Sequence, residues 1–177
     1  MPKVIMDADS MNRTIKRIAH EIIEKDSNFN NLVLVGIKRR GIYLAERIKE
    51  NIKTFENVDI AIDSIDITFY RDDLSKKSDQ PVINDIKFNN DIKGKRLVLV
   101  DDVIYTGRTV RAALDAILES DRPSSIELAV LIDRGHRELP IRPDYIGKNI
   151  PTSKNEHINV CVKEIDSEDC VYLNKNS

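Results

Sequence analysis

Tryptophan is absent from this 177-residue chain, aromatic residues make up only 5% of it, and its two cysteines, Cys161 and Cys170, have no CxxC spacing. So few aromatics leave no basis for a surface built on extensive base stacking. Two thiols near the C-terminus fit small core side chains in a reducing compartment, not a disulfide framework or a zinc site. Neither sign of charge is in excess: 28 basic residues against 30 acidic ones give a net charge of -2. Bulk charge therefore points to no polyanionic partner, although a net value hides a local basic face. No apolar run approaches the ~20 residues that cross a bilayer. The opening MPKVIMDADS lacks the basic and apolar regions of a secretion signal, so a soluble, cytoplasmic protein with no membrane contact is expected. Repeats, low-complexity linkers, a Rossmann GxGxxG and the lysine of a P-loop are missing as well.

What is present reads as a single domain with a full core. In residues 10–25, Ile15, Ile18, Ala19, Ile22 and Ile23 recur at helical spacing, with Ser10 as the expected cap. NLVLVGI, RLVLVDD and SIELAVLID are short, nearly unbroken apolar runs, as strands buried on both faces require. VDIAIDSIDITFY alternates like a half-buried strand. IYLAERIKENI and RTVRAALDAILES return to helical periodicity. Strand and helix alternation predicts an α/β fold with a mostly parallel sheet flanked by helices. RDDLSKKSDQP, residues 71–81, reads as a polar loop or lid. Residues 139–177, broken by Pro and Asn, are expected to form a small hood on the sheet together with the N-terminal segment.

The strongest chemical signal is LVLVDDVIYTGRT, residues 97–109. Ligands of open parallel sheets sit beyond the carboxyl ends of the strands, and Asp101 and Asp102 are expected there. Thr106-Gly107-Arg108-Thr109 then opens a helix, whose free N–H groups and positive dipole end favour phosphate. Gly107 permits close backbone approach, and the threonine hydroxyls add donors. Carboxylates are poor phosphate ligands but good acceptors for a ribose diol. The whole run can hold a sugar by its hydroxyls and its 5'-phosphate at once; the plain alternative is a capped strand end before an ordinary helix.

VLVDDVIYTGRT resembles the phosphoribosyl-pyrophosphate (PRPP) binding motif of type I phosphoribosyltransferases. With LVGIKRRGIYLA, DITFYRDDLSKK, RPSSIELAVLIDRGHRELPIR and DYIGKNIPTSKNE, it is similar to the pyrimidine-regulatory branch of that family from about residue 13 onward. The resemblance implies the family fold with a small hood. It also implies two activities. One is conversion of uracil and PRPP to UMP and pyrophosphate. The other is binding of pyr messenger RNA when uridine nucleotides (UMP, UTP) are abundant, which promotes transcription attenuation. A salvage enzyme for another base, such as a purine, with no RNA role is the competing reading.

By resemblance, Asp101 and Asp102 engage the ribose, and the continuous run Val103, Ile104, Tyr105, Thr106, Gly107, Arg108 and Thr109 completes the sugar-phosphate site. The turn Gly36–Gly41 corresponds to a pyrophosphate loop, in which Arg39 and Arg40 offer guanidinium forks; relatives often carry Thr at Arg39. Arg71 is a further pyrophosphate contact on the closing loop, with Lys76 and Lys77 adding charge. Asp133 orients water around Mg²⁺, and Arg134 lies near base or pyrophosphate. Mg²⁺ itself is held mainly by substrate oxygens, with no dedicated protein site. Backbone groups around Ile158 read the uracil edge. RNA contacts are expected from Arg137, Arg142 and Lys148, with Lys16, Arg17 and His20 on the first helix. Such contacts make binding salt-dependent, with specificity from exposed bases of RNA loops. A homodimer or higher homo-oligomer would double that basic face.

Overall fold

A computed structural model describes residues 1–67 and 86–175. Arg71, Lys76 and Lys77 lie outside the described residues. Five strands build the main sheet: β2 (Leu32–Ile37), β3 (Ala61–Ile65), β4 (Arg96–Ile104), β5 (Ser125–Asp133) and β6 (Tyr145–Asn149). Their order is β3-β2-β4-β5-β6, and every pairing is parallel. Val33 pairs with Leu97, and Leu99 with Leu128, so the apolar runs sit side by side. Because parallel strands are covered on both faces, they carry hydrophobes on both; all six residues of β2 are buried.

One face is covered by helices α1 (Ala8–Lys25) and α2 (Arg40–Glu56), the other by α3 (Arg108–Ser120). Met11, Ile15, Ile18 and Ile22 of α1 and Leu44, Ile48 and Ile52 of α2 join Leu34, Val98 and Leu131 in one core cluster. Val110, Ala113 and Ile117 of α3 pack on Val35, Leu97 and Leu99 in the second. α1 begins a turn earlier than its periodicity implied. Its cap is Asp7, whose Oδ1 accepts from the Ser10 N–H at 2.8 Å, and Ser10 itself lies within the first turn. Asp7→Ala removes that acceptor and is expected to cost about 1 kcal/mol, read as a fall of roughly 2–4 °C in Tm.

A second sheet, of order β1-β8-β7, is antiparallel and joins the chain's two ends: β1 (Lys3–Met6), β7 (Glu156–Cys161) and β8 (Cys170–Lys175). A single-turn helix, α4 (Lys163–Asp166), connects β7 to β8. Within the 139–177 stretch, residues 145–149 supply the edge strand of the main sheet, whereas β7 and β8 form the second sheet with β1.

Candidate active site

Asp101 and Asp102 do not terminate β4. The strand continues to Ile104, because β5 is equally long and keeps the ladder going through Val103↔Ile132 and Ile104↔Asp133. Asp101 is only 7% exposed, whereas Asp102 is half-buried. The two carboxylates bond their own strand: the Asp102 N–H donates to Asp101 Oδ1 at 2.9 Å, and the Val103 N–H to Asp102 Oδ1 at 2.8 Å.

Beyond Ile104 the chain turns at Tyr105–Gly107 into α3. Gly107 is the residue before the helix and has φ +92°, a left-handed conformation open to glycine at no steric cost. The Arg108 N–H donates to Thr106 Oγ1 at 3.2 Å, and the Thr106 carbonyl accepts from the N–H groups of Glu138 and Leu139. The helix start is thereby fastened to the loop after β5. Arg108 Nε also reaches Glu138 across a half-exposed 2.7 Å ion pair.

The loop between β2 and α2 lies against the same end of β4. A Cβ on Gly41 would overlap the Val100 carbonyl oxygen and lie 3.3 Å from the Asp101 Cα. Only glycine lets Lys38–Gly41 approach this closely; the Lys38–Arg39 peptide is cis. Arg39 is exposed. Arg40 is half-buried and forms a fork with Asp166 of α4: Nε to Oδ2 at 3.1 Å and Nη2 to Oδ1 at 2.8 Å. That hydrogen bonding holds the Arg40 pKa above its usual value despite partial burial, with the Asp166 and Asp102 charges contributing. It likewise holds the Asp166 carboxyl below the usual carboxylate range.

Asp133 closes β5. Its Oδ1 accepts from the Gly135 N–H at 3.0 Å and its Oδ2 from Arg137 Nη2 at 2.6 Å. Arg137, expected to contact RNA, also donates from Nη1 to the Tyr105 carbonyl at 2.9 Å. Arg134 is 6% exposed and, among the described residues, forms no ion pair with a carboxylate. It donates from Nε to Thr152 Oγ1 (3.1 Å) and from Nη2 to the Glu156 carbonyl (2.7 Å), and its guanidinium lies 4.0 Å from the Tyr105 ring centroid. His136, at φ +60°, contacts the Thr152 carbonyl through Nε2. Ile158 sits in β7, which among the described residues is an edge strand paired with β8, so one row of its backbone groups faces away from the sheet.

The basic residues of α1 lie elsewhere. Arg17 donates to the carbonyls of Ile146 and Gly147 in β6 and pairs with Glu21. Lys148 reaches the Ile5 carbonyl at 3.4 Å, and His20 stacks on Phe55 at 3.9 Å. Lys16, His20, Arg142 and Lys148 are all exposed. The described residues contain no cluster of three or more His, Cys, Asp or Glu able to hold a metal ion. Cys161 is buried, and burial together with the Asp166 and Glu168 charges raises its pKa, so it offers no thiolate nucleophile. No described helix is long and apolar enough to cross a membrane. Thr152 and Asp166, which hold Arg134 and Arg40, were not anticipated as site residues: Thr152 lies within DYIGKNIPTSKNE without a role assigned to it, and Asp166 lies in none of the quoted stretches.

The family model "Phosphoribosyl transferase domain" matches residues 4–165. The curated protein "Bifunctional protein PyrR" of Clostridium perfringens is 56% identical over 172 residues, covering 97% of each chain. Its namesake in Bacillus subtilis is 55% identical over 175 residues, covering 98% of this chain and 97% of its own. Among solved structures, a hypoxanthine phosphoribosyltransferase of Trypanosoma cruzi superposes with a TM-score of 0.75 at 18% identity, covering 99% of this chain and 97% of that one. A hypoxanthine-guanine phosphoribosyltransferase of Bacillus anthracis does so with a TM-score of 0.74 at 19% identity, covering 99% of each. At such identity the two structures attest the fold alone.

Proposed function

The chain belongs to the phosphoribosyl transferase domain family and, within it, to the PyrR proteins; on that premise we propose that it makes UMP and pyrophosphate from uracil and PRPP and, with a uridine nucleotide bound, attenuates transcription by binding pyr messenger RNA. The observation that carries the catalytic half is the meeting of three segments at one sheet end. These are the Asp101–Asp102 pair, the Thr106–Thr109 turn that opens α3, and the Lys38–Gly41 loop packed on Val100.

In this reading the carboxylates of Asp101 and Asp102 accept from the ribose hydroxyls. The N–H groups at the start of α3, with Thr106 and Thr109, hold the 5'-phosphate. The loop arginines Arg39 and Arg40, with Arg71, take the diphosphate. The uracil nitrogen forms its bond to C1 of the ribose as the bond from C1 to the pyrophosphate oxygen breaks, and the nitrogen gives up its proton. Asp101, Asp102, Asp133 and Arg134 contribute alignment and charge, not a covalent intermediate. Exposed backbone of β7 near Ile158 reads the base, beside Arg134. Mg²⁺ would fit as an ion carried in on substrate oxygens with Asp102 and Asp133 beside it, since these are single carboxylates and the described residues offer no cage; when bound it would supply positive charge against the diphosphate.

RNA contact is assigned to exposed Arg142 and Lys148, with Lys16, Arg17 and His20 of the neighbouring helix. Arg137, which is bonded to Asp133 and to the Tyr105 carbonyl, is assigned to RNA contact with them. Assembly of two or more copies in the cytoplasm belongs to the same reading. Gel shifts of a pyr leader hairpin with and without UMP, repeated on Arg142→Ala, test it. UMP is expected to tighten binding. Arg142→Ala is expected to weaken binding and to lower the salt slope by about one, with UMP synthesis retained. RNA affinity indifferent to UMP removes the regulatory half. Turnover of a purine base in place of uracil removes the substrate assignment.

A further inference from the structure

We propose that Asp166 is the positioning residue for the diphosphate end of the substrate, acting through Arg40. The inference rests on the function proposed above and deepens it. Three observations support it.

Asp166 occupies only one edge of the guanidinium. Its oxygens take Nε and Nη2, and among the described residues Nη1 makes no hydrogen bond. A planar fork whose back edge is fixed presents its remaining N–H groups in one direction. Arg40 adjoins Gly41, which packs on Val100 and Asp101, and the Asp102 charge acts on the guanidinium.

Asp166 is itself anchored. Its Oδ2 also accepts the Val162 N–H at 2.8 Å, at the start of α4. The α4 turn is in turn clamped to α2 by Arg47, which reaches Glu164 (3.0 and 2.7 Å) and Asp169 (2.7 Å). The carboxylate cannot follow Arg40 if the arginine swings, so it acts as a fixed stop.

Arg40 opens α2 directly after the tight loop, and no side chain caps that helix. Without Asp166, the long side chain would sample many rotamers, and ordering them on substrate binding would cost affinity. The C-terminal hood thus reaches the chemistry through one carboxylate 126 residues away in sequence.

Asp166→Asn keeps an acceptor for the Val162 N–H but breaks the charged fork. Steady-state kinetics of the full chain with uracil and PRPP should show the KM for PRPP rising about tenfold. The KM for uracil should not change, and kcat should stay within about twofold. Asp166→Glu should recover part of the loss. Glu164→Gln weakens the same hood contact without touching Arg40; because Asp169 still holds Arg47, it should change the KM for PRPP by less than about twofold and leave the KM for uracil unchanged. An unchanged or lowered KM for PRPP in Asp166→Asn overturns the proposal, a fall meaning that Asp166 competes with the diphosphate. An equal rise in Glu164→Gln overturns it too, because hood docking alone would then explain the effect. Calorimetric titration with magnesium pyrophosphate repeats the comparison without a base. A wild type that binds pyrophosphate but does not turn over uracil defeats the substrate reading and leaves this comparison decisive. A wild type that binds no pyrophosphate defeats both.

Discussion

Arg96→Met is expected to lower the unfolding free energy by about 3–5 kcal/mol, the usual effect of removing one partner of a buried ion pair. Arg96 opens β4 at the end of the sheet opposite the candidate site. Its Nε and Nη2 bond both oxygens of Glu127 at 3.1 and 3.0 Å, and Nη2 also meets the Tyr145 hydroxyl at 3.0 Å. The Tyr145 hydroxyl donates to Glu127 at 2.6 Å, and Lys25 reaches the same carboxylate at 3.1 Å. Arg96 also donates to the carbonyls of Ile22 and Asp26, which ties the end of α1 to the sheet.

Burial pushes the Glu127 carboxyl up, but hydrogen bonds from Arg96, Tyr145 and Lys25 outweigh it, and the folded-state pKa ends below the ordinary value. A carboxyl lowered on folding contributes stability that is fully present above its unfolded pKa and lost as pH falls through its folded one. The gap between wild type and Arg96→Met should therefore be widest near neutrality and narrow in acid. Urea denaturation at several pH values measures it. The double variant Arg96→Met/Glu127→Leu should recover most of the loss, since no buried charge is left alone. A single variant with an unaltered midpoint would show that Lys25 and Tyr145 suffice for Glu127.

Gly41→Ala should reduce kcat/KM for PRPP by about a hundredfold, the effect of a displacement of roughly 1 Å at a catalytic centre. The added methyl would overlap the Val100 carbonyl oxygen, a β4 backbone atom held in the middle of the sheet. β4 lies between β2 and β5 and cannot give way. The loop and the first turn of α2 must move instead, and they take Arg39 and Arg40 away from Asp101 and Asp102. Gly107→Ala is the informative contrast: nothing lies closer than 3.6 Å to its new methyl, so its penalty comes from φ +92° alone. Steady-state kinetics and melting temperatures of both variants decide the matter. Wild-type kinetics in Gly41→Ala would mean that the loop's approach to β4 is dispensable.

The sequence made legible whatever is local. Residues 108–120 and 125–133 carry their periods cleanly and are bounded by Gly107 and Asp133, so helix α3 and strand β5 fall where the pattern places them. The run from Asp101 to Thr109 stood out as a candidate sugar-phosphate site because one continuous segment supplies it. Strand β1 was not, because four residues, KVIM, are too few to show a period, and they become a strand only by pairing with β8. The extent of β4 past Asp102 depended on the length of its neighbour β5. The partners of Arg40 and Arg134 depended on contacts 126 and 18 residues away, which no spacing rule encodes.

The pairing of Lys3 with Leu173 also orders events during synthesis. All five parallel strands have left the ribosome once residue 149 has emerged, and they can collapse around their helices. The antiparallel unit has to wait for residue 173, and the long loop it closes makes it a late, slow step. Asp166 belongs to that last unit, so a nascent or prematurely ended chain would have a nearly finished sheet whose Arg40 still lacks its carboxylate partner.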